Sequence, residues 1–236
     1  MRDGRKLAVE PRQGKRFSST VELGSGMELV IGDYRWSTWS LRPWLVLRHA
    51  GVGFSERVVR LNRDETHEEI LKHSPSGFVP ALKVEGEVIW DSLAIAVWAA
   101  ETFPESGMWP QGAHARWLAR SCACEMHSGF AALRKQCPMD LQLTTVLEPS
   151  AETSADLRRL VQVWREMRGR FGQHGPYLFG GWSMPDAFYT PVATRVRSYG
   201  LDLAAHGDED GVAQAYVDTL LAHPDFLEWE RRAQAE

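Results

Sequence analysis

The chain has 236 residues, 44% of them hydrophobic and 25% charged, and a net charge of -4. That length can bury a full core, as one large domain or two small ones. The charge gives no reason to expect a nucleic-acid partner, and no stretch reaches the ~18 consecutive apolar residues of a membrane span.

Residues 1–26 carry six basic side chains (Arg2, Arg5, Lys6, Arg12, Lys15, Arg16) and three acidic ones (Asp3, Glu10, Glu22). The segment is therefore +3 and leaves -7 for residues 27–236. It has no apolar run of signal-peptide length, and its polar, aperiodic composition reads as a disordered tail. Met27 stands directly before the first apolar strand, so the tail is expected to be dispensable. The three cysteines, Cys122, Cys124 and Cys137, are odd in number and lack CxxC spacing. No disulfide framework is expected, and the cytoplasm is the natural compartment. Cys122, Cys124 and His127 share a helical stretch but lack a fourth partner, so no metal is expected.

The segment 28–31 (ELVI) reads as a short strand ending in Gly32-Asp33. In the following WSTWSLRPWLVLRHAG, Ser37 or Thr38 can cap a helix. Leu41, Trp44, Leu45 and Arg48 fall at helical spacing, and Gly51 is a natural stop. A strand over 56–59 and a short polar helix over 66–73 come next. Two apolar runs, 81–84 and 88–90, flank Glu85-Gly86-Glu87 as a hairpin. Asp91 is a good N-cap for the helix SLAIAVWAAETF, which stops before Pro104. The order β-α-β-α-β-β-α implies a mixed sheet, one half a βαβ unit and the other an antiparallel hairpin with a helix.

Residues 104–112 (PESGMWPQG) read as a linker, and beyond it strand signals vanish. Leu118, Cys122, Met126, Phe130 and Leu133 predict one long helix ended by Pro138, with a loop to Pro149. Leu157, Leu160, Val161, Trp164, Met167 and Phe171 trace a second amphipathic helix. Ser183 and Asp186 have capping-box spacing with Pro185 in the first turn of a third. Two shorter helices, near 211–222 and 224–234, finish the chain. Four parts result: a tail over 1–26, a mixed-sheet domain over 27–103, the linker, and an all-helical domain over 113–236.

Four landmarks occur in order: a Ser-bearing first helix, SGFVPAL before the hairpin, WDS opening a helix, and the Ser-x-x-Asp cap. With them the chain from residue 27 onward resembles the cytosolic glutathione transferase superfamily. The fold this implies is a thioredoxin-like βαβαββα domain followed by an all-helical one. STWSLR is similar to the zeta and tau classes, whose active-site Ser lies five residues before an Arg, as Ser37 lies before Arg42. The EMHSGFAALRKQCPM segment is like that of a group of bacterial transferases.

The resemblance implies an enzyme that binds glutathione as co-substrate, attacks a small electrophile, and is a homodimer. A free thiol titrates near ~8.5 and only its thiolate is a good nucleophile. A hydroxyl and the positive end of a helix both favour the anion. Ser37 is the candidate donor, with Thr38 and Ser40 as alternatives and Arg42 as a structural residue. By the same resemblance Val79 offers its backbone to the cysteinyl part, Pro80 is cis, and Asp91 and Ser92 hold the γ-glutamyl end. Asp91 suits an ammonium, and Ser92 at a helix N-terminus suits a carboxylate. Lys72, His73 and His67 are candidates for the glycyl carboxylate. Met126, Phe130 and Leu133, with His127 and Arg134 for polar contacts, are candidates to line the electrophile pocket.

Two other functions fit the same residues. One is a glutathione-dependent cis-trans isomerase of the maleylacetoacetate type, although Trp39 replaces the Cys of the zeta SSCS pattern. The other is a non-catalytic interaction module of transferase-like fold, against which the intact set of site residues argues. A glutathione-dependent reductase is disfavoured, because Ser stands where it wants Cys.

Overall fold

The computed structural model describes residues 26–236. The expectation for the N-terminal tail lies outside the described residues but for the exposed Gly26. Strands β1 (Glu28–Gly32), β2 (Ser55–Val59), β3 (Ala81–Val84) and β4 (Glu87–Ile89) form one sheet of order β2-β1-β3-β4. β1 runs parallel to β2 and antiparallel to β3, and β3 pairs antiparallel with β4. The mixed sheet read from the sequence is thus present. Between β3 and β4, Glu85 and Gly86 both have positive φ, as a two-residue type I′ turn demands.

Alternation along β1 sorts the layers. Leu29 and Ile31 enter the large core, while Val30 packs on the other face with Val59, Ala81 and Ile70. Ile70 belongs to the short α2 (Thr66–Leu71). On the large-core face lie α1 (Thr38–His49) and α3 (Ser92–Thr102), packed on each other. The residue Asp91 caps α3 as expected, its Oδ1 accepting from the amides of Leu93 (2.9 Å) and Ala94 (3.3 Å).

The rest of the described chain is helical: α4 (Ala113–Ser128), α5 (Ala131–Gln136), α6 (Ala151–Phe171), α7 (Met184–Ser198), α8 (Val212–Leu221) and α9 (Pro224–Gln234). The single helix expected through Leu133 is in fact two. Gly129 extends the backbone and Phe130 turns left-handed at φ 60, a conformation that L residues seldom take. A Cβ at Gly129 would lie 2.7 Å from the Glu125 carbonyl oxygen, so only glycine fits this break. Arg134 then folds back and donates to the carbonyls of Met126, His127 and Gly129, which are left without helical partners.

α7 is almost wholly buried and packs on α1, α4 and α8. Its cap is the expected box. Asp186 accepts from the Ser183 amide (2.7 Å), the Ser183 hydroxyl (2.9 Å), the Leu178 amide (3.1 Å) and the Tyr216 hydroxyl (2.8 Å). α9 closes the molecule against the sheet side. The Trp229 indole N–H donates to the Tyr34 carbonyl (2.8 Å), Arg232 pairs with Glu56, and Glu236 accepts from the amides of Tyr34 and Arg35.

Burial pushes the Asp186 carboxyl up to about 6, against the pull of its four donors. Replacing it with Asn would turn an amide NH2 toward groups that themselves donate. Asp186→Asn is expected to lower stability by about 2–4 kcal/mol, since each buried donor left unmatched costs about 1–3 kcal/mol. Urea unfolding of the two proteins measures this.

Candidate functional site

β1 delivers the chain to the first turn of α1, where three hydroxyls gather. Ser37 is the N-cap by position, yet its side chain caps nothing. Its Oγ donates to Ser40 Oγ (2.7 Å), which also accepts from the Gly32 amide (3.1 Å) and so ties the turn to the strand end. Thr38 Oγ1 accepts from Arg195 Nη2 (3.1 Å) across the boundary with α7. Arg195 is itself fixed, with Nε on the Cys137 carbonyl and Nη1 on the Pro191 carbonyl, both at 2.8 Å. Burial, then the charge of Arg134, pulls Arg195 down to about 10, which leaves it cationic at neutral pH.

Ser37, Thr38 and Trp39 border a cavity of about 680 Å3. Its other walls include Arg63 and His67 near α2, Phe78 and Val79, and Arg134, Met139 and Arg195 from the helical side. A neighbouring cavity of about 360 Å3 holds Val79, Pro80, Asp91, Ser92 and His127. Trp39, Phe78 and Val79 border both. The Val79–Pro80 bond is cis. The second carboxylate oxygen of Asp91 lies 3.2 Å from His127 Nε2, and the buried Ser92 hydroxyl has no hydrogen-bond partner among the described residues.

No cysteine borders either cavity. Cys122 and Cys137 are buried, and burial pushes both thiols up, Cys122 to about 12. Neither supplies a thiolate at neutral pH. No cluster of three metal-ligating side chains occurs among the described residues.

The structure therefore brings Ser37, Val79, Pro80, Asp91, Ser92, His127 and Arg134 to two adjoining cavities. Met126 and Phe130, expected to line a substrate pocket, are buried and border neither of these two cavities. Both are core residues, as is Leu133, since α4 packs on α7 and α5 on α6. Of the polar candidates near α2, His67 borders the larger cavity, while Lys72 pairs with Glu69 and His73 meets Lys83 and Glu69. Arg42 is fully buried, and none of its guanidinium nitrogens has a hydrogen-bond partner among the described residues. It lies over the rings of Trp39 (4.3 Å) and Phe188 (5.2 Å). Sequence reasoning missed Arg195 and Arg63, which carry no local motif.

A four-stranded mixed sheet with a cis-proline ahead of β3, followed by a helical bundle, defines a thioredoxin-like domain joined to an all-helical one. Residues 36–102 match the family described as glutathione S-transferase, N-terminal domain. A "Probable maleylacetoacetate isomerase" of Caenorhabditis elegans is 25% identical over 85% of this chain and 95% of its own. "Glutathione S-transferase 1" of Dianthus caryophyllus is 28% identical over 75% of this chain and 81% of its own. A crystal structure of a Burkholderia glutathione transferase homologue with bound glutathione shares the fold. It superposes with a TM-score of 0.65 at 19% identity, covering 89% of this chain and 98% of that one. Residues 36–102 thus carry a glutathione S-transferase N-terminal domain, and most of the chain is similar in sequence to relatives of that kind and shares their fold.

His127 yields a pH prediction. Burial is the main force lowering its pKa, with Arg42 and Arg134 adding to it and Asp91 opposing. The unfolded chain, with histidine near ~6.5, binds the proton more readily, so this group lowers stability as pH falls through about 6.5. His127→Gln is expected to lose less melting temperature than the wild type between pH 7.5 and pH 5.5 (assay conditions of about these values). Thermal melts at the two pH values compare them.

Proposed function

We propose that this protein binds glutathione across the two adjoining cavities and activates it as a thiolate for attack on a small electrophile. The observation that carries the reading is the hydroxyl-bearing first turn of α1. It opens on a cavity that continues past Val79 to Asp91 and Ser92. At the α1 N-terminus a hydroxyl donor and the helix dipole both favour a sulfur anion. The chain brings no cysteine to the cavities, and in this reading the sulfur is supplied by glutathione. The Asp91 oxygen that faces His127 rather than the α3 amides suits the γ-glutamyl ammonium, and the Ser92 hydroxyl and the α3 amides suit its carboxylate. Val79 meets the cysteinyl part, and His67 or Arg63 the glycyl carboxylate. The electrophile takes the helical side, between Trp39, Arg134 and Met139.

A second reading, glutathione-dependent cis-trans isomerisation, is favoured by relatives named as maleylacetoacetate isomerases. There the thiolate adds to a double bond, the bond rotates, and the thiolate leaves. Both readings need the same activated sulfur. Turnover of a cis-olefin without consumption of glutathione distinguishes isomerisation from conjugation.

Asp91→Asn separates the two duties of that side chain. Asn caps helices about as well as Asp, so the melting temperature is expected to hold. The charge partner for an ammonium is lost, and a hydrogen bond to a charged group is worth ~1.5–3 kcal/mol. Glutathione affinity measured by calorimetry is expected to fall about ten- to a hundredfold. Unchanged affinity would place the γ-glutamyl end elsewhere.

We infer a homodimer as well. Trp90 and Val97, near and on α3, and Trp117 on α4 stay exposed, with Trp117 60% accessible, and they offer apolar surface for a seam. Light scattering at micromolar concentration is expected to return twice the chain mass, and a monomer mass overturns this.

A further inference from the structure

Two hydroxyls compete to donate to the sulfur at the start of α1, and the bonds they already make distinguish them. The Ser37 proton is committed to Ser40 Oγ at 2.7 Å. That acceptor is held in turn by the Gly32 amide, so Ser37 reaches a sulfur only by giving up a buried bond. Thr38 is in the opposite state. Its oxygen accepts from Arg195, and among the described residues its own O–H finds no acceptor. Only 7% of Thr38 is exposed, and it borders the larger cavity. A buried hydroxyl without an acceptor is a donor awaiting one.

We propose that Thr38 is the residue that hydrogen-bonds the glutathione sulfur, and that Arg195, from the helical domain, is its positioning residue. This rests on the thiolate-activating reading. Arg195 occupies the lone-pair side of Thr38 Oγ1, which leaves the proton side for the cavity. A guanidinium on that oxygen also polarises the O–H and strengthens its bond to an anion. The guanidinium cannot swing away, because its other nitrogens hold the carbonyls of Cys137 and Pro191. When glutathione ionises, the thiol proton leaves to solvent. Thr38 keeps its own proton throughout and acts only as a donor.

The test is the pKa of enzyme-bound glutathione, read from thiolate absorbance in the ultraviolet. Thr38→Val, which keeps the shape and removes the O–H, is expected to raise it by about one unit or more, a tenfold loss of thiolate below the pKa. Thr38→Ser is expected to restore it, and Ser37→Ala to shift it less than Thr38→Val does. Arg195→Gln is expected to raise it with the KM for glutathione unchanged, a signature that a merely structural arginine would not give. Should Arg195→Gln fail to fold, the Thr38 pair of variants still decides the donor. A wild-type pKa in Thr38→Val, with the shift appearing in Ser37→Ala, overturns the assignment of Thr38. A shift in Thr38→Val but none in a folded Arg195→Gln overturns the role of Arg195. If the wild-type bound thiol titrates like free glutathione, the thiolate reading falls and this inference falls with it.

Discussion

The structure depends on a conflict that α1 has to resolve. The helix is buried along nearly its whole length by the sheet, α3, α7 and α9, yet its first turn opens on a cavity. A helix N-terminus in such a place leaves donors that need partners. The first turn of α1 and the loop before it are held in place by bonds to other segments. Ser40 ties back to β1, Arg35 forks onto Asp140, and Tyr34 meets α9. The open face is then bounded by residues from both domains, and neither half alone builds the wall that Thr38 and Arg195 form together.

Arg42 shows the cost of this arrangement. A buried guanidinium with no hydrogen-bond partner is expensive, and stacking over Trp39 and Phe188 offsets only part of that. Burial, then Arg134 and Arg195, pull its pKa well below the ordinary value, while Asp91 acts the other way. Arg134 and Arg195 border the larger cavity, and Arg42 lies buried behind Trp39, which borders both. Their combined field favours whatever negative charge enters, and a thiolate at the α1 N-terminus is such a charge. Trp39 sits among them, with Arg42 and Arg134 both within 5 Å of its ring.

Much of this was legible in the sequence because its signals are local. Gly51 marked the end of α1, Glu85-Gly86 the hairpin, Asp91 and Ser183 the caps, and each needs only neighbours within a few residues to act. The cis bond at Val79–Pro80 came by resemblance, since nothing local in the sequence specifies it. The break between α4 and α5 was missed because apolar periodicity runs straight through it, and Ser128-Gly129 was the only warning. Periodicity also showed that Met126 and Phe130 share a face, but not whether that face looks at a cavity or at other helices. Arg195 was out of reach for another reason: its partner Thr38 is 157 residues away, and only the tertiary fold brings them together.

The clasp between α9 and the loop at Tyr34 has a temporal consequence. Trp229 is 195 residues from the carbonyl it meets, and the Glu236 carboxylate 202 from the Tyr34 amide. A chain emerging from the ribosome has all four strands well before these partners exist, and domains fold as units in the order in which they appear. The early sheet can assemble with its α1 entry loop untied. That loop is then fastened by α9, so the cavity end of the molecule is completed by a segment made long after the sheet. Contacts this distant in sequence are slow to close, which makes ordering of the α1 entrance a late event in the life of the nascent protein.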